Sequence, residues 1–518
     1  MGEITGAELE SPGVATMTNR LAQPAMTPTT PYVEVHETHT GLVVLTGDRA
    51  FKSKKPVLTD FLDFRTPEQR ERACQREVEL NRRLSPDSYL GVAHLTDPGG
   101  GPAEPIVVMR RYRDDERLTS IVTGDQPEQS VNGVLDRIAG ALARFHEKAE
   151  RSPVISAQGK PAAIERRWHE NLSELNRYAA TSITELSSRS LSRIQHLVAE
   201  FISGRTALLT NRTEEGCILD GHGDLLADDI FCPNGKLAVL DCLEFDDKLR
   251  YVDRVDDAAF LAMDLEFLGR KDLGDYFLEK YVACSADTAP LALRDFYIAY
   301  RAVVRAKVDC VRWSQGTSEA KTDAARHLSI ALEHLKNGAV RLALIGGNPG
   351  TGKSTLARAL AEKTGAQVIS TDDVRRELRE SGAITGDPGV LDAGLYTPDS
   401  VAAVYQEALR RAHTFLGNGQ SVILDATWRD PKMRAEAGIL AAKTHSALVE
   451  LMCVASVDVA ATRIKARRPG NSDVTSEIAL EVAAQNNGWE TAYRVDTTRG
   501  LDYSVLRAHD VWFQAAHN

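Results

Sequence analysis

Apolar and polar positions alternate where the chain first shows a regular pattern: Val33, Val35, then Leu42-Val43-Val44-Leu45 and, past the turn Thr46-Gly47-Asp48, the run Ala50-Phe51-Lys52-Ser53-Lys54. A period of two predicts antiparallel strands joined by a Gly-Asp hairpin. The Arg- and Glu-rich stretch from Pro67 to Leu84 reads as a helix, and Ile106-Val107-Val108-Met109 as a further strand leading into Arg110-Arg111-Tyr112. Helical spacing then takes over in 135–146, 257–264 and 296–313. A last helix, 323–336, stops at Asn337-Gly338. Beyond that stop the pattern changes to short apolar strands, 342–345, 367–370 and 421–427, alternating with helical stretches at 355–360 and 401–416. Such alternation predicts an α/β region with a parallel sheet, whose ligands gather beyond the carboxyl ends of the strands. The layout is therefore a Pro/Thr-rich flexible tail (1–31), an α+β region (32–337) and an α/β region (338–518), as a length of 518 residues allows.

Composition narrows the class of protein. With 43% apolar and 26% charged residues the chain can bury sizeable cores. No run approaches the roughly 18 apolar residues of a membrane span, and residues 1–31 lack the pattern of a secretory leader. The expectation is a cytoplasmic protein with no membrane partner. The seven cysteines are scattered without C-x-x-C spacing, so neither structural disulfides nor a zinc site is expected. A net charge of −11 argues against a broad nucleic-acid surface and leaves open only a local basic groove in the C-terminal half.

Chemistry concentrates first in Gly347-Asn348-Pro349-Gly350-Thr351-Gly352-Lys353-Ser354-Thr355, between the apolar run 342–345 and a helical pattern. Strand, G-x-x-x-x-G-K-S, helix is the context of a P-loop. Its glycines and Pro349 let backbone N–H groups converge on phosphate oxygens at a helix N-terminus. Lys353 would then reach the β- and γ-phosphates of ATP, and the Ser354 hydroxyl would serve Mg²⁺.

A second constellation is His222-Gly223-Asp224 with Asp229, followed after a Pro-Asn-Gly turn by Leu237-Ala238-Val239-Leu240-Asp241. This resembles the aminoglycoside phosphotransferase family, whose protein-kinase-like fold carries an H-G-D-x-x-x-x-N loop and a metal-binding Asp on the next hairpin. The resemblance covers about 32–320. It implies that Asp224 is the catalytic base and that Asp229 and Asp241 are Mg²⁺ ligands, with Asp229 standing where the family has Asn. It implies an N-lobe over about 32–112 and a C-lobe over about 113–337. Lys52 or Lys54 would touch ATP phosphates while pairing with Glu77. His146 reads as a packed or capping histidine, and Arg301 and Arg305, at i, i+4 spacing, as a solvated face rather than an anion-binding pair.

The C-terminal half resembles P-loop small kinases such as gluconate kinase, chloramphenicol phosphotransferase and the kinase module of polynucleotide kinase. Its matching features are G-x-P-G-x-G-K-S-T, the D-D-x-R at 372–375, L-D-A-T at Asp425 and an Arg-rich stretch over 463–468. The resemblance implies Asp372 as base for the acceptor hydroxyl, Asp425 ordering Mg²⁺ or acceptor, Arg375 at the acceptor, and Arg463 or Arg467 closing over the phosphoryl group. A competing role for Asp372 is capping the following helix. The whole layout resembles bacterial bifunctional phosphotransferase and ATP-binding proteins. The expectation is a Mg²⁺- and ATP-dependent phosphotransferase acting on small-molecule hydroxyls. Two alternatives stay open: one module is a nucleotide-binding sensor, or the C-terminal half is a polynucleotide 5′-hydroxyl kinase.

Overall fold

The computed structural model describes residues 32–37, 41–58, 63–96, 98–181, 186–387, 394–466 and 488–516. The tail expected over 1–31 lies outside them. Two compact units make up the chain, Met1–Arg113 and Asp114–Asn518.

In the first unit, β1 (Val33–Glu37), β2 (Gly41–Thr46), β3 (Arg49–Lys54), β4 (Tyr89–Leu95) and β5 (Glu104–Arg110) form one antiparallel sheet in the order β1-β2-β3-β5-β4. The hairpin predicted at Gly47 joins β2 to β3. Periodicity did not announce β4. Tyr89 is its one buried residue and the register shifts at Gly91, so no clean alternation exists to be read. The Pro67–Asn81 helix starts at a capping box, where Thr66 and Gln69 satisfy each other's backbone N–H groups. Its Cys74, Val78 and Leu80 are buried as it packs on β4 and β5.

The second unit begins with helices, among them Glu128–Lys148, Ser188–Gly204, Arg254–Phe267, Leu291–Ser314 and Ala320–Asn337. Two short antiparallel ladders sit between them: β6 (Ile218–Asp220) pairs with β9 (Tyr251–Asp253), and β7 (Ile230–Phe231) with β8 (Ala238–Val239). After Asn337, the predicted strands β10 (Arg341–Gly346), β11 (Gln367–Ser370) and β12 (Val422–Asp425) join β13 (Ala447–Val454) and β14 (Tyr493–Asp496), which the sequence pattern did not announce, in one parallel sheet ordered β11-β12-β10-β13-β14. Every residue of β10 is buried, the mark of a strand covered on both faces. Ile345, Leu356, Leu360, Ile423, Leu451 and Trp512 share its core. Each such side chain contributes about 1.5–3 kcal/mol on full burial. With β12 and β13 on either side, the carboxyl end of β10 opens at the middle of the sheet.

Candidate functional site

At that carboxyl end the chain turns through Gly347 to Gly352 into the Lys353–Thr364 helix. Glycine is obligatory here. Gly347 has φ +134° and a Cβ on it would collide with the Cys453 carbonyl oxygen, while one on Gly350, φ +82°, would lie 2.6 Å from the Ala460 carbonyl oxygen. Lys353 Nζ donates to the Asn348 carbonyl at 3.1 Å, folding its ammonium back over the loop. Thr351 closes the turn on the same carbonyl at 2.8 Å.

Asp425 ends the neighbouring strand β12 and is 5% exposed. Burial raises its pKa, opposed by the Lys353 charge and a hydrogen bond from the Ser354 hydroxyl. An acid, an ammonium and a hydroxyl thus meet at the start of the P-loop helix. One strand further out, β11 runs into the Thr371–Glu380 helix. Ser370 is the N-cap, accepting from the Asp372 N–H, so Asp372 is not the cap. The half-exposed Asp372 carboxylate instead takes Arg375 Nη1 at 2.7 Å, and that guanidinium lies 4.6 Å from the Tyr396 ring centroid. Arg463 approaches from the Val457–Lys465 helix. Its Nη1 and Nη2 donate to Thr497 Oγ1 at 3.2 Å and Thr497 O at 2.7 Å, and Thr497 Oγ1 donates to the Thr351 carbonyl at 2.6 Å. Arg463 is therefore fastened beside the P-loop through Thr497, a link that no motif announced. Arg467 lies outside the described residues.

The second constellation is built around a buried acid that sequence reasoning read only as part of a helix. Asp257 accepts the backbone N–H groups of His222 at 2.7 Å and Gly223 at 2.8 Å, and His146 Nε2 lies 2.9 Å from its Oδ2. Buried on all sides, Asp257 would be driven up by desolvation; the hydrogen bond and charge of His146 hold it well below the usual carboxylate range. His146, packed as expected and 1% exposed, also meets the Tyr281 hydroxyl at 2.7 Å. Arg301 corrects the solvated-face expectation. It is 3% exposed, bonded to Asp256 at 2.7 Å and to the Gly223 carbonyl at 3.0 Å. An acid inside the apolar run 257–264 was the available signal.

The loop so held presents Asp224, partly buried. Desolvation pushes its carboxyl up to about 6, with Arg305 and Arg301 pulling down and Asp241 pushing up. Asp229 ends a short helical turn, and its carbonyl accepts the N–H of Leu240, which ties it to the residue before Asp241. Asp241 takes φ +61°, a left-handed conformation that Asp tolerates at a cost and that clusters at functional sites. In the first unit, Lys52 Nζ lies 2.9 Å and Lys54 Nζ 2.5 Å from the two oxygens of Glu77, which has no exposed side-chain surface. A strand lysine paired with a helix glutamate is a working part of protein-kinase-like sites.

A family described as "AAA domain" matches residues 342–487, the P-loop region. Over 485 residues the chain is 64% identical to uncharacterized protein Rv2004c of Mycobacterium tuberculosis, covering 94% of this chain and 96% of the relative. The chain belongs to this mycobacterial family. A Mycobacterium bovis member, uncharacterized protein Mb2027c, matches equally well. Among solved structures, a gluconokinase from Sinorhizobium meliloti is 20% identical, with 34% of this chain and 94% of that one covered and a TM-score of 0.26. A choline/ethanolamine kinase family protein from Mesorhizobium loti is 15% identical, with 59% and 92% covered and a TM-score of 0.35. The family match and the strand, glycine loop and helix around Gly347–Ser354 agree on a P-loop domain in the C-terminal region. Among the described residues no helix is long and apolar enough to cross a membrane.

Proposed function

We propose that the chain is a cytoplasmic, ATP- and Mg²⁺-dependent phosphotransferase with two modules, 32–337 and 338–518, each donating to a hydroxyl of a small molecule. The observation that carries this reading is the buried Asp425 carboxylate set against Lys353 and Ser354 at the mouth of the parallel sheet, with Asp372 in the first turn of the helix that follows the adjoining strand. Lys353 would bind the β- and γ-phosphates, and the backbone N–H groups of the loop from Gly350 to Lys353 would cradle them. Asp372 would take the acceptor's proton as the acceptor oxygen bonds to the γ-phosphorus and the bond from that phosphorus to the β–γ bridging oxygen breaks. Asp425 and Ser354 are oxygen donors of the kind Mg²⁺ prefers. When bound, Mg²⁺ offsets charge on the phosphate oxygens. In the other module Asp224 would be the base, Asp229 and Asp241 the metal-holding acids and Lys52 the ATP lysine.

The arginines around Asp372 favour a small acceptor over a polynucleotide. Arg375 is paired with Asp372, Arg376 with Asp373 at 2.6 Å and Arg411 with Glu377 at 2.6 Å and Glu407 at 2.8 Å. Their charges are largely answered already, which weakens any phosphate-tracking channel. The test uses the full chain with Lys353→Ala, Asp224→Asn and the double variant, scored for ATP consumption against sugar, aminoglycoside, nucleoside and oligonucleotide panels. Each single variant should lose transfer to one acceptor class and the double variant all transfer. Undiminished turnover in the double variant would sink the proposal.

A further inference from the structure

Away from both constellations, within the second unit, the helices of the α+β region and the parallel-sheet region enclose a cavity of about 310 Å³. Arg193, His196, Arg205 and Phe296 line one side, Ala442 and His445 the other. Its volume falls at the lower end of the range of small-molecule sites, roughly 300–1,000 Å³.

Arg205 distinguishes this cavity from a packing defect. It is 1% exposed. Nη1 donates to the carbonyls of Gly204 at 2.9 Å and Leu416 at 2.5 Å, and Nη2 to the His445 carbonyl at 3.2 Å and Ser446 Oγ at 3.3 Å. All these partners are neutral, and the buried Nε–H has no acceptor among the described residues. Burial pulls the guanidinium down to about 10, opposed by the charge of Glu200, which also lines the cavity and is itself paired with His196 at 3.4 Å. Other buried arginines of this unit are answered by acids: Arg212 by Asp253 and Asp287, Arg250 by Asp220 and Asp247, Arg301 by Asp256, Arg375 by Asp372. Arg341 also lacks a paired acid, but its Nε–H is satisfied by the Trp512 carbonyl and its other donors by the carbonyls of Asn337, Ala339 and Lys336. A buried cation without a counter-ion is costly. At Arg205 that cost coincides with an open, ligand-sized space also lined by Arg193 and His196.

We propose that this cavity binds a small metabolite through an oxyanion group, phosphate or carboxylate, received by Arg205 with Arg193 and His196 beside it. A bound molecule would touch helices of both regions and brace the P-loop region against its neighbour. The experiment takes the full-length protein, saturates its nucleotide sites with a non-hydrolysable ATP analogue and Mg²⁺, and titrates inorganic phosphate and, separately, acetate by calorimetry. One saturable site per chain is expected for at least one anion, and which anion binds identifies the group. Arg205→Met should weaken that binding tenfold or more. So should Ala442→Trp, which fills the cavity from an exposed position and leaves the Arg205 hydrogen bonds in place; it carries the test if Arg205→Met fails to fold. No saturable binding of either anion, or affinity unchanged in Ala442→Trp, would overturn the proposal.

Discussion

Glu77 accepts two lysines with no solvent on its side chain, yet the two are not equivalent. Lys54 is 2% exposed at its side chain and sits 5.6 Å from the Phe64 ring centroid, whereas Lys52 keeps 14%. A phosphate can reach only a group with some open surface, so of the two alternatives we propose Lys52 as the ATP lysine. Lys52→Met should lower ATP affinity at that module with a small change in melting temperature. Lys54→Met, which strips a caged partner from a buried acid, should cost stability, about 3–5 kcal/mol by the scale of broken buried pairs. Equal melting temperatures for the two variants would reject this division. Asp224 supports a second prediction. In the metal-free fold its carboxyl holds a proton to about 6, against 3.8 in the unfolded chain. Folding therefore loses stability as pH rises from about 4 to about 6, and the penalty persists above that. Asp224→Asn should raise the stability of the metal-free protein at pH 7.5 by about 1–2 kcal/mol while abolishing transfer at that site. A destabilised Asn variant would show that the charge is better compensated than its surroundings suggest.

At the level of elements, the junction of β11 with its helix separates structure from chemistry at neighbouring residues. Ser370 caps, and Asp372 carries the side chain turned to Arg375. Ser370→Ala should cost about 1 kcal/mol of stability and leave the rate near wild type. Asp372→Asn should do the reverse, slowing transfer about a hundredfold or more with little change in stability. A variant pair with these effects exchanged would return Asp372 to a structural role. Three helices meet at His334, whose Nδ1 lies 2.6 Å from Asp295 and Nε2 2.7 Å from Glu266. Burial alone would lower its pKa; the two acids outweigh burial and raise it to about 9. Stability from this clamp is fully present below about 6.5 and is lost as pH rises through 9, a change of about 3 kcal/mol. Thermal melts should weaken between pH 7 and 9.5 in the wild type, and His334→Gln should flatten that slope.

At the scale of the molecule, Asp114–Asn518 is one compact unit although its sequence pattern changes at 338. Arg205 bonds reach across that change to Leu416, His445 and Ser446, and Arg341 ties the start of β10 to Lys336 and Asn337. Calorimetry of the full chain should show the helical and parallel-sheet regions unfolding in one transition. A non-hydrolysable ATP analogue that binds the P-loop should raise that whole transition, since ligand linkage stabilises everything that unfolds with the site. Two separated transitions, with only one moved by nucleotide, would show the two regions to be independent.

The chain's local patterns determined the strands around Gly47, the helix at Pro67, three of the five parallel strands (342–345, 367–370 and 421–427) and the P-loop, because hydrophobic period and glycine placement act over a few residues. Local pattern also placed Asp425 at the end of a strand and Asp372 just beyond one, while family resemblance singled out Asp224 and Asp241. Tertiary structure alone decided which lysine stays open beside Glu77, that Ser370 and not Asp372 caps its helix, that Asp257 and Arg301 hold the loop bearing Asp224, and that Arg205 is buried without an acid. Each of these depends on groups brought together from distant positions, such as the 111 residues between His146 and Asp257. Burial and charge compensation are properties of that meeting, and no window of neighbouring residues contains them.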